Sequence, residues 1–195
     1  MFFRRFKINR LTKKLSAMQR NRIHNQPTDE VLKKEQQGYH QLAALYTSFE
    51  GHKKFPFARE LKLASLRAAA MIGDGDAQYT LGKILLEEAK MREQWEVKGL
   101  FASQSNVRTM TQLYEEGHAF LEAAEKIAHV EAKRLRGLAF INGWGVPADK
   151  KKGFELIVAS IQQENSWDRV PQIFASMGLN KPEFFSELTQ MRNKS

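Results

Sequence analysis

The side chains able to carry acid–base or metal chemistry are scattered along this chain of 195 residues. A zinc site needs histidine, cysteine or carboxylate ligands at short fixed spacings, and the five histidines show no such spacing. There is no cysteine, which excludes disulfides and thiolate chemistry. Glu87–Glu88 and Glu115–Glu116 are adjacent pairs on predicted helices, where neighbouring side chains do not face one another. We therefore predict a non-enzyme with no catalytic residue, no metal site and no cofactor.

The stretch Gly73-Asp74-Gly75-Asp76 has the composition of a phosphate- or calcium-binding loop. It lacks the Gly-Lys-Ser/Thr that completes a phosphate loop, and it lacks the ligand spacing of an EF-hand. A glycine ending one helix and an aspartate capping the next explain the same residues. We predict a helix junction here.

Basic residues are concentrated at the start of the chain, in a segment of residues 1–26 that we call the N-terminal arm. The formal net charge is +9, from 31 basic and 22 acidic residues. The arm holds eight of the basic residues and no acid, so the remainder is close to neutral. The basic residues of the arm are Arg4, Arg5, Lys7, Arg10, Lys13, Lys14, Arg20 and Arg22.

The arm also carries an apolar stripe at helical spacing, formed by Ile8, Leu11, Leu15 and Met18. It supports several interpretations: a solvated helix packed through that stripe, a contact with an acidic partner protein, an anionic membrane surface, a transit peptide or, least favoured, nucleic acid. The residues predicted to attach the arm to its partner are Phe2, Phe3, Arg4, Arg5, Phe6, Lys7, Arg10, Lys13 and Lys14.

The elements that would position such contacts are best defined between His129 and Ile161. Apolar spacing predicts a helix over Glu131–Ile141, a turn over Asn142–Pro147, and a second helix that begins after Asp149 as its N-cap. Two glycines in the turn, Gly143 and Gly145, predict at least one positive φ angle.

This helix–turn–helix resembles the Sel1-like repeat, a relative of the tetratricopeptide hairpin. The resemblance rests on Ala132, Gly137, Phe140, Gly143, Gly145, Val146, Asp149 and Lys152. A partial copy begins at Asp76 with its glycine at Gly82, and a fainter one covers Tyr39–Tyr46. The resemblance implies an all-α solenoid of helical hairpins that serves as an interaction scaffold or adaptor for partner proteins within a multiprotein complex.

In that fold the first helix of each hairpin lines a concave face. Its predicted partner-binding positions are Thr80, Lys83, Lys133 and Arg136, with Lys34 and Gln41 added by an earlier helix over Asp29–Phe49. A groove of this composition favours an acidic or amphipathic peptide. Further predicted helices span Phe57–Ile72, Asp76 to about Arg92, and Thr109–Ala128.

The two clearer copies are separated by an insertion at about residues 93–108, which we predict to be a surface loop. Trp95 and Phe101 in it are interpreted either as anchors for a partner or as a lid over the groove. The repeat domain is predicted to cover residues 27–195 and to end in a capping helix that docks through Phe184, Phe185 and Leu188. With no signal segment and no membrane-spanning run evident, we expect a cytoplasmic protein, with association to a membrane through a protein complex as an open alternative.

Overall fold

The computed structural model describes residues 2–192, which form nine α-helices, one short 3-10 turn and no strand. The all-α prediction is therefore confirmed for these residues. The elements are α1 (Phe2–His24), α2 (Asp29–Thr47), α3 (Ala58–Met71), α4 (Gly75–Val97), α5 (Gln104–Lys126), α6 (Val130–Asn142), α7 (Lys150–Glu164), the 3-10 turn Trp167–Arg169, α8 (Val170–Ser176) and α9 (Pro182–Arg192).

Two compact units divide the chain, residues 1–81 and 82–195. In the first unit, α2 and α3 pack as a hairpin and α1 packs against α2. The segment predicted as an arm is thus a 23-residue helix that belongs to the first unit. The predicted helix junction is confirmed, since Gly73 has φ +83° and the Asp74 carboxylate accepts a hydrogen bond of 2.7 Å from the Ala77 N–H.

The second unit contains the rest of α4 and α5 through α9, and an apolar cluster lies where α7, α8 and α9 meet. Phe154 and Phe174 are fully buried there. The last helix contributes Phe184, whose ring centroid is 5.6 Å from that of Phe154, and Phe185, at 5.2 Å from Phe174. The prediction that α9 docks through Phe184, Phe185 and Leu188 is confirmed.

Facing glycines bring two helix pairs of the second unit into close contact. A Cβ added at Gly137 would lie 2.7 Å from the carbonyl oxygen of Gly153, and one at Gly153 would lie 2.6 Å from that of Gly137. In the other pair, a Cβ at Gly82 would lie 2.9 Å from the carbonyl oxygen of Gly117. Both α6–α7 and α4–α5 therefore cross at backbone contact distance, which only glycine permits.

The turn between α6 and α7 is packed against the preceding hairpin. Gly143 and Gly145 both have positive φ, at +69° and +65°, which confirms that prediction. The Trp144 carbonyl oxygen accepts a hydrogen bond of 2.7 Å from His118 Nε2. A Cβ at Gly145 would lie 2.4 Å from Cγ of Tyr114, so the aromatic ring occupies the space that a side chain would need. The turn is thereby held against α5.

The predicted insertion loop is wrong, because most of it is helical. α4 continues from Gly82 to Val97, whereas α6 ends at Asn142, five residues after Gly137. α5 begins at Gln104, well before Gly117, whereas α7 begins three residues before Gly153. Between its facing glycine and the connecting loop, each helix of the α4–α5 pair extends ten residues further than its counterpart, which is about 15 Å at the helical rise. Only residues 98–103 form a loop.

Candidate interaction groove

A groove of about 750 Å³ lies between α1 and the C-terminal half of α2 in the first unit. One wall is basic and the floor is apolar. Its lining residues are Arg4, Lys7, Arg10, Leu11 and Lys14 from α1, with Gln41, Ala44, Leu45 and Ser48 from α2 and its C-terminal end. A smaller hollow of about 90 Å³ shares Leu11, Lys14 and Gln41 with the groove and extends as far as Met18.

Helical spacing explains the basic wall. Arg4, Lys7, Leu11 and Lys14 follow one another at three or four residues and so share one face of α1. The neighbouring face, which carries Ile8 and Leu15 at 5% and 2% exposure, is buried against the rest of the unit. The predicted apolar stripe is therefore confirmed as a packing surface, with Leu11 and Met18 half-buried at its edge.

Close contact between α1 and α2 depends on Gly38. A Cβ at that position would lie 2.6 Å from Cδ2 of Leu15. Further along, the Arg22 Nε lies 3.3 Å from Oε2 of Glu35, whose side chain is fully buried. The two charges are in contact, although neither carboxylate oxygen accepts a hydrogen bond from the described protein atoms. This pair fixes the C-terminal half of α1 on α2.

The other end of α1 is held by Arg5. Its guanidinium donates a hydrogen bond of 3.1 Å to the Lys54 carbonyl and lies 5.7 Å from the ring centroid of Phe55. Phe55 in turn stacks on Phe49, with centroids 4.8 Å apart. Arg5 thus serves the fold, since it ties α1 to the loop between α2 and α3.

The residues predicted for attachment therefore separate into groups. Arg4, Lys7, Arg10 and Lys14 line the groove together. Lys13 is exposed on α1 outside the groove lining. Phe3 and Phe6, on the first turns of α1, are 84% and 61% exposed. The side chain of Phe2 lies outside the described residues.

Charge in the groove is of one sign. Four cations and no carboxylate are present among its lining residues. Like charges on one wall repel one another, so an anionic occupant lowers the electrostatic free energy of the wall. Leu11, Ala44 and Leu45 add apolar surface beside those cations, and Gln41 and Ser48 add hydrogen-bonding groups. The arrangement favours an elongated ligand with both acidic and apolar groups.

The basic wall and Gln41 were predicted from the sequence as contact residues, whereas Ala44, Leu45 and Ser48 were not. Those three residues follow Gln41 at positions i+3, i+4 and i+7, which is the spacing of a helical stripe. This spacing is visible in the sequence, but the neighbouring stripe on α2 is more apolar and hides it. That stripe includes Tyr39, Leu42 and Tyr46, which are buried in the core.

The predicted concave-face residues have other environments. Arg136 was predicted to point outward, which is wrong: its side chain is 16% exposed and pairs with Glu125, with Glu122 3.8 Å away. Lys133 donates a hydrogen bond of 2.7 Å to the side chain of Gln163 on α7. These two cations therefore link helices of the second unit.

The two remaining concave-face predictions lie on α4. Thr80 is half-buried, and Lys83 is exposed with its Nζ 4.0 Å from Glu87. Neither belongs to the lining of the basic groove.

Trp95 and Phe101 contact each other, with ring centroids 5.4 Å apart. Trp95 lies on the last turns of α4 and is half-buried, whereas Phe101 lies in the connecting loop and is 62% exposed. Both belong to the far end of the α4–α5 hairpin.

Within residues 2–192, histidine and carboxylate side chains do not gather in any group of three that could hold a metal ion. Nor does any helix in this described range have the length and apolar character needed to cross a membrane. Comparison with known proteins finds no matching family model, no similar curated protein and no similar solved structure. The resemblance to Sel1-like repeats stays a prediction.

Proposed function

We propose that this chain is a non-enzymatic adaptor in a cytoplasmic multiprotein complex, and that the α1–α2 groove binds an acidic amphipathic helix of a partner protein. The observation that carries the proposal is the row of Arg4, Lys7, Arg10 and Lys14 beside an apolar floor. The resemblance to an adaptor family points in the same direction, although the carrying residues lie outside the repeat that suggested it.

The length of the basic row favours a helix over a small anion. Ten residues separate Arg4 from Lys14, which corresponds to about 15 Å along α1. An α-helix lying alongside presents carboxylates at i, i+3 or i+4, and i+7 with a similar spacing. A single phosphate contacts only two or three of these cations at once. A helix with acidic residues on one edge and leucines on the next matches both the wall and the floor.

The shape of the groove favours a protein over a bilayer. An amphipathic helix binds a membrane through its apolar face, and the apolar face of α1 is buried against the rest of the first unit at Ile8 and Leu15. A flat bilayer surface does not reach the floor of a concave site. Binding in the groove therefore requires a ligand narrow enough to enter it.

Ion pairs along the rim of the groove are expected to contribute little individually. Exposed pairs contribute about 0.2–1 kcal/mol each, and this contribution falls with added salt. Apolar contacts with Leu11 and Leu45 are needed for stable binding, at about 25 cal/mol per Å² buried. The affinity is thus predicted to weaken with salt without disappearing.

The test is a fluorescence-anisotropy titration of the full chain with a labelled helical peptide that carries glutamates at i, i+4 and i+7 beside leucines. We expect binding, and we expect replacement of Arg4, Lys7, Arg10 and Lys14 by glutamine to weaken it at least about tenfold. A matched control removes four exposed charges elsewhere in the same unit, Lys13, Arg20, Lys33 and Lys53, and retains binding.

Two outcomes contradict the proposal. If the control variant loses as much affinity as the groove variant, net charge rather than the groove governs binding. If the peptide fails to bind while anionic vesicles bind through the same four cations, the ligand of this surface is a bilayer.

A further inference from the structure

The far end of the α4–α5 hairpin presents a cluster of exposed apolar side chains, which we call the apolar tip: Val97, Leu100 and Phe101. Their exposed fractions are 83%, 62% and 62%. Exposed apolar residues scattered singly need no explanation, but three at one loop form a patch. Trp95 packs against Phe101 from the helix side, so an aromatic pair supports the tip.

The tip extends beyond the neighbouring hairpin of the same unit. The α6–α7 turn contacts α4 and α5 at the level of Lys90 and Tyr114, because Lys90 Nζ lies 3.3 Å from the ring centroid of Trp144 and Tyr114 packs on Gly145. Beyond these contacts α4 continues for seven residues to Val97, and α5 begins ten residues before Tyr114, which corresponds to about 10–15 Å. Residues 98–103 are all exposed. The patch therefore lies beyond the α6–α7 turn, and Phe101 lines a hollow of about 250 Å³ beside Trp95.

The acidic side chains of this segment form hydrogen bonds with neighbouring groups. The Glu96 carboxylate accepts hydrogen bonds from the Asn106 side-chain amide at 2.8 Å and from the Ser103 N–H at 3.4 Å. Glu93 accepts a hydrogen bond of 2.7 Å from the Tyr114 hydroxyl, which remains protonated because burial and the Glu93 carboxylate raise the pKa of Tyr114.

Cations of the segment remain available at its surface. Lys98 and Arg108 are exposed and form no ion pair with any residue that the structure describes. Two cations without an ion-pair partner therefore lie near the apolar tip, together with the carboxylates of Glu93 and Glu96.

We propose that the apolar tip inserts into the interfacial region of an anionic lipid bilayer. An exposed apolar loop with Lys98 and Arg108 beside it matches a surface of negative headgroups above acyl chains. Three side chains supply far less than the about 800 Å² per partner that a stable protein interface buries, which argues against a second copy as the occupant. This inference is independent of the groove, since it concerns different residues in a different unit.

The experiment uses the full chain with vesicles of phosphatidylcholine, with and without phosphatidylglycerol, and measures binding by sedimentation. We expect binding only to the vesicles that contain phosphatidylglycerol. Leu100→Ser combined with Phe101→Ser should lower partitioning at least about tenfold, since both side chains leave the acyl region. Lys98→Gln should lower it about fivefold. Phe57→Ser is the matched control, because Phe57 is 67% exposed elsewhere, and it leaves partitioning unchanged.

A second measurement locates the contact. Trp95 lies behind Phe101, so its emission should be quenched by brominated lipid, and Trp95→Phe should remove that quenching while retaining binding. The proposal is overturned if the protein ignores anionic vesicles, if the serine variant binds them as well as wild type, or if bound protein shows no Trp95 quenching. The last result assigns vesicle binding to another surface of the chain.

Discussion

Replacing Gly145 by alanine tests why the α6–α7 turn has its glycines. The substitution forces a non-glycine residue to a φ of +65°, which costs about 1–2 kcal/mol. It also places a Cβ 2.4 Å from Cγ of Tyr114, a distance that requires the ring to move. Overpacking of this kind costs about 1–3 kcal/mol. The free energy of unfolding should therefore fall by about 2–5 kcal/mol.

The matched control is Gly178→Ala in the same unit. Gly178 has φ +70°, and an added Cβ meets no atom within 4 Å, so this variant reports the backbone strain alone, about 1–2 kcal/mol. Urea titration followed by circular dichroism measures both variants. For a chain of this size, the melting temperature of Gly145→Ala should fall by about 10 °C.

A double-mutant cycle then isolates the contact with Tyr114. In a Tyr114→Gly background, Gly145→Ala should cost no more than Gly178→Ala does, because both the ring and the Tyr114 Cβ, 2.6 Å from the added Cβ, are gone. If Gly145→Ala is as mild as Gly178→Ala in the wild-type background, the packing of the turn against α5 is refuted.

Three further predictions follow from buried contacts. Burial lowers the pKa of His118 below 6.5, so the unfolded state binds the proton first and stability falls as the pH drops through about 6.5. His118→Gln should flatten that dependence in urea titrations, and an unchanged dependence contradicts the prediction. Arg22→Ala leaves the Glu35 carboxylate buried without its partner and should cost about 3 kcal/mol, whereas an accompanying Glu35→Leu should restore most of the stability. Gly153→Ala should destabilise the protein more than Gly38→Ala does. The Cβ added at Gly153 meets a backbone oxygen, whereas the Cβ added at Gly38 meets a flexible leucine methyl group. Thermal melts in which Gly38→Ala is the less stable variant contradict the prediction.

Much of the fold could be predicted from local signals. Apolar spacing placed the helices, and capping residues defined several ends: the Asp149 carboxylate accepts a hydrogen bond of 2.9 Å from the Lys152 N–H, as its position predicted. The insertion was misjudged because Ala102, Ser103 and Gln104 have loop composition. Ser103 is in fact an N-cap whose side chain accepts from the Asn106 N–H at 3.1 Å, and helix resumes directly after it.

Contacts between helices could not be predicted from these local signals. The basic wall of the groove follows from a charge count on α1, but its floor exists only because Gly38 lets α1 approach α2 at Leu15. Arg136 shows the converse: on a helical wheel it points away from the core, yet Glu125 on α5 lies beside it. Which side chains meet across helices depends on packing distances that a single sequence does not report.

The central claim is that the groove itself, and not the basic charge alone, binds an acidic helix. Ala44→Trp tests it most directly, because a bulky side chain would fill the floor while every cation remains. Ala64→Trp, at an exposed position on α3 outside the groove, is the control. In anisotropy titrations with the acidic peptide, Ala44→Trp should weaken binding at least about tenfold, equivalent to 1.4 kcal/mol, while Ala64→Trp binds like wild type. Wild-type affinity in Ala44→Trp would contradict the account.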